Sequence, residues 1–419
     1  MKKSSAIDSR IDFCLKRCFR RVKAVLFLLL LISGSCFGQI LTFDERLFGD
    51  EKSRVLKIAE AFGNLEPITI VEHIASRSAG GVQDFYSEGD YWWPDPNNPE
   101  GPYIRKDGMT NPDNFTKHRE VLIRFSQISG ALGSAYLVTG DRQYAEKLAP
   151  HYRAWFINKS TLMNPHLLYG QAIFGRVTGR GIGIIDTIHL IEVVKAFEAI
   201  EKTGVFSAQE IQVIKKWFSD YLDWITTHPY GIEERDNGNN HSVCWAMQAA
   251  VFADFVGNQE VKSYCTKMYK EKLLPDQMDK KGSFPKELER TKPYGYSLFT
   301  LDAMATICQV LTTEEDNLFS YSTPEGKNVA LGISFIYPYV EDKSTWPYSQ
   351  DVMYWDEWPV RHPFLLFGGL SLNNDQYLSL WGSLNADFSN FEVIRNMPIR
   401  FPLLWVSTDN YISKSSITK

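Results

Sequence analysis

The sequence lacks the features that mark several large protein classes. Positive charge is not in excess: 45 Lys and Arg stand against 50 Asp and Glu, a formal net charge of −5. That excludes a nucleic-acid binder relying on a basic surface, and any attraction for an anionic polymer must come from a local basic site. Cysteine is scarce and unpatterned. Three of the six fall in the first 36 residues, and Cys244, Cys265 and Cys308 sit in apolar stretches without a CxxC pair. No disulfide framework is expected from them, and they read as small buried hydrophobes. The eight His show no HExxH and no other short paired spacing, so no metal site and no cofactor is expected. There is no GxSxG elbow and no EF-hand-like loop. Residues 179–186, GRGIGIID, have glycines like those of a dinucleotide loop. No strand precedes them and no βαβ unit surrounds them, so that reading is rejected. Instead the glycines permit close packing at a helix start and leave Arg180 available to a ligand.

What is present begins with an export signal. Arg20, Arg21 and Lys23 precede an apolar run at 24–32, too short to span a bilayer comfortably. Cys36-Phe37-Gly38 then fits a small-x-small cleavage site. The expectation is a signal peptide at 1–38 and a periplasmic or secreted mature chain at 39–419. Lipidation at Cys36 is the weaker alternative, because Ser33-Gly34-Ser35 lacks the leucine expected before a lipobox cysteine.

From residue 116 onward the pattern is helix after helix. Val121, Leu122, Phe125, Ile128, Leu132 and Ala135 recur at helical spacing before Gly140, and Tyr144, Leu148, Tyr152, Trp155 and Phe156 follow on one face of the next helix. Similar pairs are read at 184–228, 241–274, 293–340 and 363–384. Strand signals are sparse and no long Pro/Ser/Gly linker divides the chain. Helical hairpins recurring roughly every fifty to sixty residues predict an all-α fold, a single (α/α) toroid of about six to seven hairpins. Three irregular aromatic segments would form long loops at its mouth: 77–107, 228–241 and 344–363. Long loops of such composition inside a compact domain are more often functional than accidental.

Two clusters stand at helix starts. In Asn239-Asn240-His241, an asparagine N-cap with a satisfied histidine is the structural reading. The functional one is that free N–H groups at a helix start suit a carboxylate. In residues 287–297, ELERTKPYGYS, Pro293 marks a helix start with Thr291 as its cap, and Arg290 and Tyr296 flank it. Carboxylates such as Asp186, Glu234, Asp236, Asp351 and Asp356 leave a two-carboxylate glycosidase open as an alternative.

The Asn-Asn-His cluster, followed some fifty residues on by ELERTKPYGYS, resembles the alginate-lyase group of polysaccharide lyases built on α/α toroids. The loops DFYSEGDYWWP and DVMYWDEWPVRHP, with GRGIGIID, are most similar to polysaccharide lyase family 38, and the likeness runs over about 76–364. It implies that Asn240, His241 and Arg290 neutralise a uronate carboxylate and that Tyr296 protonates the leaving oxygen. In the family 5 pattern the tyrosine precedes a histidine and lies one residue further from the arginine; here Ser297 follows. Family 17 lyases share the R-T…Y-S wording but carry a second domain missing here.

The implied substrate is an anionic uronic-acid polysaccharide, alginate first and glucuronan next, cleaved by metal-independent β-elimination. Where the C5 proton and O4 share a face, as in mannuronate or glucuronate, Tyr296 could serve as base and acid. In guluronate His241 would be the base. Tyr296 as base would need cationic neighbours such as Arg290 to lower its pKa. Asp84, Tyr86, Trp92, Trp93, His118, Arg180, Glu234, Trp355, Arg361 and His362 are further candidates for the cleft, Arg180 and Arg361 foremost as carboxylate contacts. A non-catalytic glycan-binding protein is the remaining alternative, supported only by the aromatic loops.

Overall fold

The structure, a computed structural model, describes residues 45–407. The expected signal peptide, its cleavage site and Cys36 lie outside the described residues. Eleven α-helices of nine or more residues form within them: α1 (Glu45–Phe62), α2 (Lys117–Thr139), α3 (Arg142–Tyr152), α4 (Leu190–Ile200), α5 (Ala208–Thr227), α6 (Asn240–Val256), α7 (Gln259–Met268), α8 (Pro293–Leu311), α9 (Val329–Glu341), α10 (Pro363–Ser371) and α11 (Asp375–Ser383). Their ends follow local chemistry. Asp141 accepts from Gln143 N at the start of α3, and Ser207 with Glu210 forms a capping box on α5. Gly140 and Gly257 close α2 and α6 with positive φ.

Burial sorts these helices into two layers. α6 is buried at every position from Ser242 to Ala253, α8 from Ser297 to Cys308, and α10 from Pro363 to Gly369. A helix apolar all round must be surrounded by protein. α5 instead buries one stripe, Ile214, Trp217, Phe218, Tyr221, Leu222 and Ile225, and so sits outside. The inner helices pack in succession, α2 on α4, α4 on α6, α6 on α8 and α8 on α10, while α3, α7, α9 and α11 back their predecessors. α2 is long and apolar enough to cross a bilayer by length and composition alone, but most of it is buried within the ring.

The arrangement is a helix-rich α/α ring, with five consecutive hairpins among the described residues rather than six or seven. α1 packs on α2 as a further outer helix. The remaining gap is filled by the C-terminal segment, which carries only a short α-helix at Phe391–Arg395 and a 3-10 turn at Pro402–Leu404. Phe401 lies so close to α2 that a Cβ on Gly130 would come within 2.3 Å of its ring. The N–H groups of Arg400 and Phe401 donate to the buried Glu192 of α4, and Gln309 of α8 donates to Trp405 O. Stacked aromatics tie the outer layer to the inner one, with the rings of Phe125 on α2 and Trp155 just after α3 lying 5.0 Å apart and nearly parallel; such pairs add about 0.5–1.5 kcal/mol each. Cys244, Cys265 and Cys308 are free and buried, as their apolar settings predict.

Among the described residues four short strands lie in the loops. β1 (Tyr86–Glu88) pairs in parallel with β4 (Tyr169–Ala172), and β2 (Trp92–Trp93) pairs antiparallel with β3 (Ile104–Arg105). The GRGIGIID segment forms a 3-10 turn at Gly181–Thr187. A Cβ on Gly183 would approach the Gly170 backbone at 2.6 Å, so glycine there permits this turn to press against β4.

Candidate active site

A cleft of about 290 Å³ opens where the N-termini of α6 and α8 meet these strands. Asn240 and His241 reach it because Asn239 caps α6, its side chain accepting from His241 N at 2.9 Å. Asn240 is held by Glu287, which accepts from the backbone N–H at 2.9 Å and from Nδ2 at 2.8 Å. His241 Nδ1 lies 2.8 Å from Oε1 of Glu234. Glu234 is fully buried, and its Oε2 has no hydrogen-bond partner. Burial pushes the Glu234 carboxyl up, and His241 pulls it partly back. When Glu234 accepts from Nδ1–H of a neutral imidazole, the lone pair of that ring is left on Nε2.

Tyr296 stands in the first turn of α8. Thr291 does not cap this helix; Asp351 does, accepting from the N–H groups of Tyr294 and Gly295 at 2.9 Å each. A Cβ on Gly295 would come within 2.8 Å of Asp351, so the glycine makes room for the cap. The Tyr296 hydroxyl lies 2.6 Å from that of Tyr91 and 3.5 Å from the Arg290 guanidinium, which also covers the tyrosine ring at 4.6 Å. Arg290 is anchored by Asp107 at 3.1 Å. Burial and Tyr91 raise the Tyr296 pKa well above its ordinary value, outweighing Lys292 and Arg290, which lower it. The expected cationic depression therefore loses to desolvation, and the resting phenol keeps its proton.

Trp92 and Arg180 also line the cleft. Arg180 donates to the backbone and side-chain oxygens of Gln171, and burial lowers its pKa to about 10. Gln171 itself holds a φ of +49°, rare for a non-glycine residue.

Several sequence candidates lie elsewhere. Arg361 points to the outer layer, bonding Glu51 at 2.9 Å and covering Trp381 at 4.4 Å. His362 is buried against Asp302 at 2.7 Å. Both close the aromatic 344–363 loop, where the chain leaves the mouth and turns into α10 at Pro363. His118 accepts from Tyr86 N and meets His73 O, pinning β1 to α2. Asp84 bonds Gly81 N and Asn164 and fixes its own loop. Trp93 donates to Met109 O beneath Lys106. Trp355 packs on Tyr294 and Lys343. Tyr86 hydrogen-bonds Glu88 and lines a neighbouring groove. Glu234 stands behind His241 rather than among the cleft-lining residues.

Sequence reasoning missed Tyr91, Gln171, Arg105, Asp90, Glu287 and Arg395. Tyr91 stands beside Trp92 in DFYSEGDYWWP, whereas nothing local marks Arg395, delivered by the short helix Phe391–Arg395. A buried chain of charges runs behind Tyr91: Lys292 to Glu392 at 2.8 Å, Glu392 to Arg395 at 3.1 Å, and Arg395 to Asp90 at 3.0 Å. Asp90, also held by Arg119 at 3.0 Å, is the one carboxylate lining the described cleft, and these cations hold its pKa at about 2 against burial. Among the described residues no cluster of three His, Cys, Asp or Glu side chains could hold a metal ion.

Proton donors, cations and amides thus converge on one cleft, while its carboxylate is already paired. Such a lining, set on a helical ring, is able to hold an anion by charge-assisted hydrogen bonds. The alginate lyase family profile matches residues 71–346. The fold is shared with an alginate lyase from Bacteroides ovatus at 30% identity and TM-score 0.72, covering 84% of this chain and 94% of that one. An apo form of alginate lyase A1-III aligns at 12% identity and TM-score 0.52 over 87% and 95%. A1-III from Sphingomonas species A1 aligns at 14% and 0.49 over 76% and 85%. No curated protein sequence matches. The chain belongs to the alginate lyase family and is a polysaccharide lyase.

Proposed function

We propose that the enzyme cleaves 1,4-linked uronic-acid chains, alginate first and glucuronan next, by metal-independent β-elimination. Asn240, Arg290 and Arg180 bind the C5 carboxylate and stabilise the charge that builds there when the C5 proton leaves. The C5–H electrons form the C4=C5 double bond, the C4–O4 bond breaks, and Tyr296 gives its proton to O4. The observation that carries this reading is the Tyr296 hydroxyl, protonated at rest, in a cleft also lined by Arg290, Asn240 and His241.

On guluronate, whose C5 proton and O4 lie on opposite faces, His241 Nε2 takes the proton. On mannuronate or glucuronate, Tyr296 must first part with its own proton before serving as base, and Tyr91 is the hydroxyl next to it. The family 38 likeness of the aromatic loops supports testing glucuronan beside alginate. A two-carboxylate hydrolase finds less support: Asp186 binds Ser87 and Gln171, Asp351 caps α8, and Asp90 is held by two arginines.

The test follows ultraviolet absorbance of the new double bond on polymannuronate, polyguluronate and glucuronan, with EDTA present. Absorbance should rise with at least one polymer and vanish in Tyr296→Phe. New reducing ends without absorbance would sink the mechanism. Export rests on residues 20–38, and N-terminal sequencing of the exported chain, expected to begin at Gln39, tests it.

A further inference from the structure

A second groove, of about 520 Å³, runs beside the cleft. Its wall is the segment 172–179, which follows Gln171 and leads into Arg180, both lining the cleft. The segment is built rather than loose: Ile173 and Val177 exchange backbone hydrogen bonds at 2.9 and 3.1 Å, and Tyr103 N donates to Phe174 O at 3.1 Å. A Cβ on Gly175, which has a φ of +69°, would approach Pro102 at 2.8 Å.

The chemistry of this groove matches an acidic sugar. Arg176 donates to Tyr103 O, and among the described residues no carboxylate lies within ion-pair distance of it. Its guanidinium sits 5.2 Å from the ring of Trp92, and that of Arg180 sits 5.9 Å from the same ring. Trp92 thus joins the groove to the cleft. Phe174 and Val177 are each 43% exposed, although single exposed apolar residues are ordinary. Here they stand beside an unpaired arginine and on a path from the candidate active site. Arg77 covers the Phe174 ring at 5.8 Å, but its charge is offset by Glu88 at 3.2 Å, which leaves Arg176 as the groove's uncompensated cation.

We propose that this groove is a second binding site for the same polymer, holding acidic sugar units beyond those bound at Tyr296. Arg176 meets a carboxylate there and Phe174 offers a ring face. The inference rests on the lyase reading for its ligand. Its test compares Arg176→Ala and Phe174→Ala with the unaltered enzyme on long polymannuronate and on the shortest oligosaccharide cleaved. The long polymer should show a KM about three- to fivefold higher in Arg176→Ala, as loss of one exposed charged contact implies, and a raised KM in Phe174→Ala from loss of the ring face, with kcat within about twofold in both. The short substrate should show neither change, which also reports intact folding, and Arg176→Lys should recover most of the polymer KM. Unchanged polymer KM in both alanine variants would overturn the proposal.

Binding of the long polymer to Tyr296→Phe, with and without Arg176→Ala, separates the two readings. Affinity lost with Arg176 would uphold the groove even if no polymer were cleaved. Equal affinity would end it whatever the activity.

Discussion

Replacing Glu234 by Gln changes almost nothing in volume but tests how His241 is held. Glu234 is fully buried, with Oε1 at 2.8 Å from His241 Nδ1 and Oε2 without a partner. A glutamine can turn its amide toward Nδ1, which then accepts, so that Nε2 carries the proton and cannot take another. If instead its carbonyl keeps the Nδ1 contact, the amide NH2 is buried in place of Oε2 without an acceptor, at a cost of about 1–3 kcal/mol. The first arrangement is therefore preferred, and it removes the base. General-base catalysis contributes about 10²–10⁴ in rate, so kcat on polyguluronate should fall within that range. KM should change little, because Asn240, Arg290 and Arg180 are untouched. On polymannuronate, where Tyr296 would serve both roles, the loss should be smaller, and the ratio of the two losses identifies the base. Steady-state kinetics on the two polymers, with a thermal melt as folding control, provides the assay. A kcat within threefold of the unaltered enzyme on both would refute the tautomer argument.

Two further outcomes follow from buried groups away from the cleft. Glu192 receives two backbone N–H groups from the C-terminal segment, yet burial pushes its carboxyl up to about 7. Its folded value lies above the unfolded one near 4.5, so the folded state binds the extra proton. Its contribution to stability is full below about pH 4.5 and is lost as pH rises to about 7, on the order of 3 kcal/mol. Denaturant titrations across that window should show Glu192→Gln losing less stability than the parent; parallel curves would contradict the assignment. Arg361→Ala removes the Glu51 contact and the cover over Trp381. It should cost about 1–3 kcal/mol of stability, since Glu51 retains Arg54, and leave kcat/KM within about twofold. A large loss of kcat/KM in a folded variant would return Arg361 to the cleft.

The features the sequence determined are those whose physics is local. Helix spans and ends could be read because Gly140, Gly257, Ser207 and Asp141 act on their own turns, and the inner helices because continuous apolar runs leave no face for water. Asn240, His241, Arg290 and Tyr296 were legible because each stands within a few residues of a helix start and matches a family pattern. Tertiary structure decided everything that needed a partner from elsewhere in the chain. Glu287 is 47 residues from Asn240, Tyr91 is 205 from Tyr296, and Asp351 is 57 from the N–H it caps; no spacing rule links such pairs. The same holds for Arg361 and His362, whose neighbours in sequence suggested the mouth of the ring while the turn into α10 carried them to its outer layer and core. The protonation of Tyr296 was a tertiary outcome too. Its cationic neighbours were visible in the sequence, but the burial that outweighs them exists only once the loops close over α8.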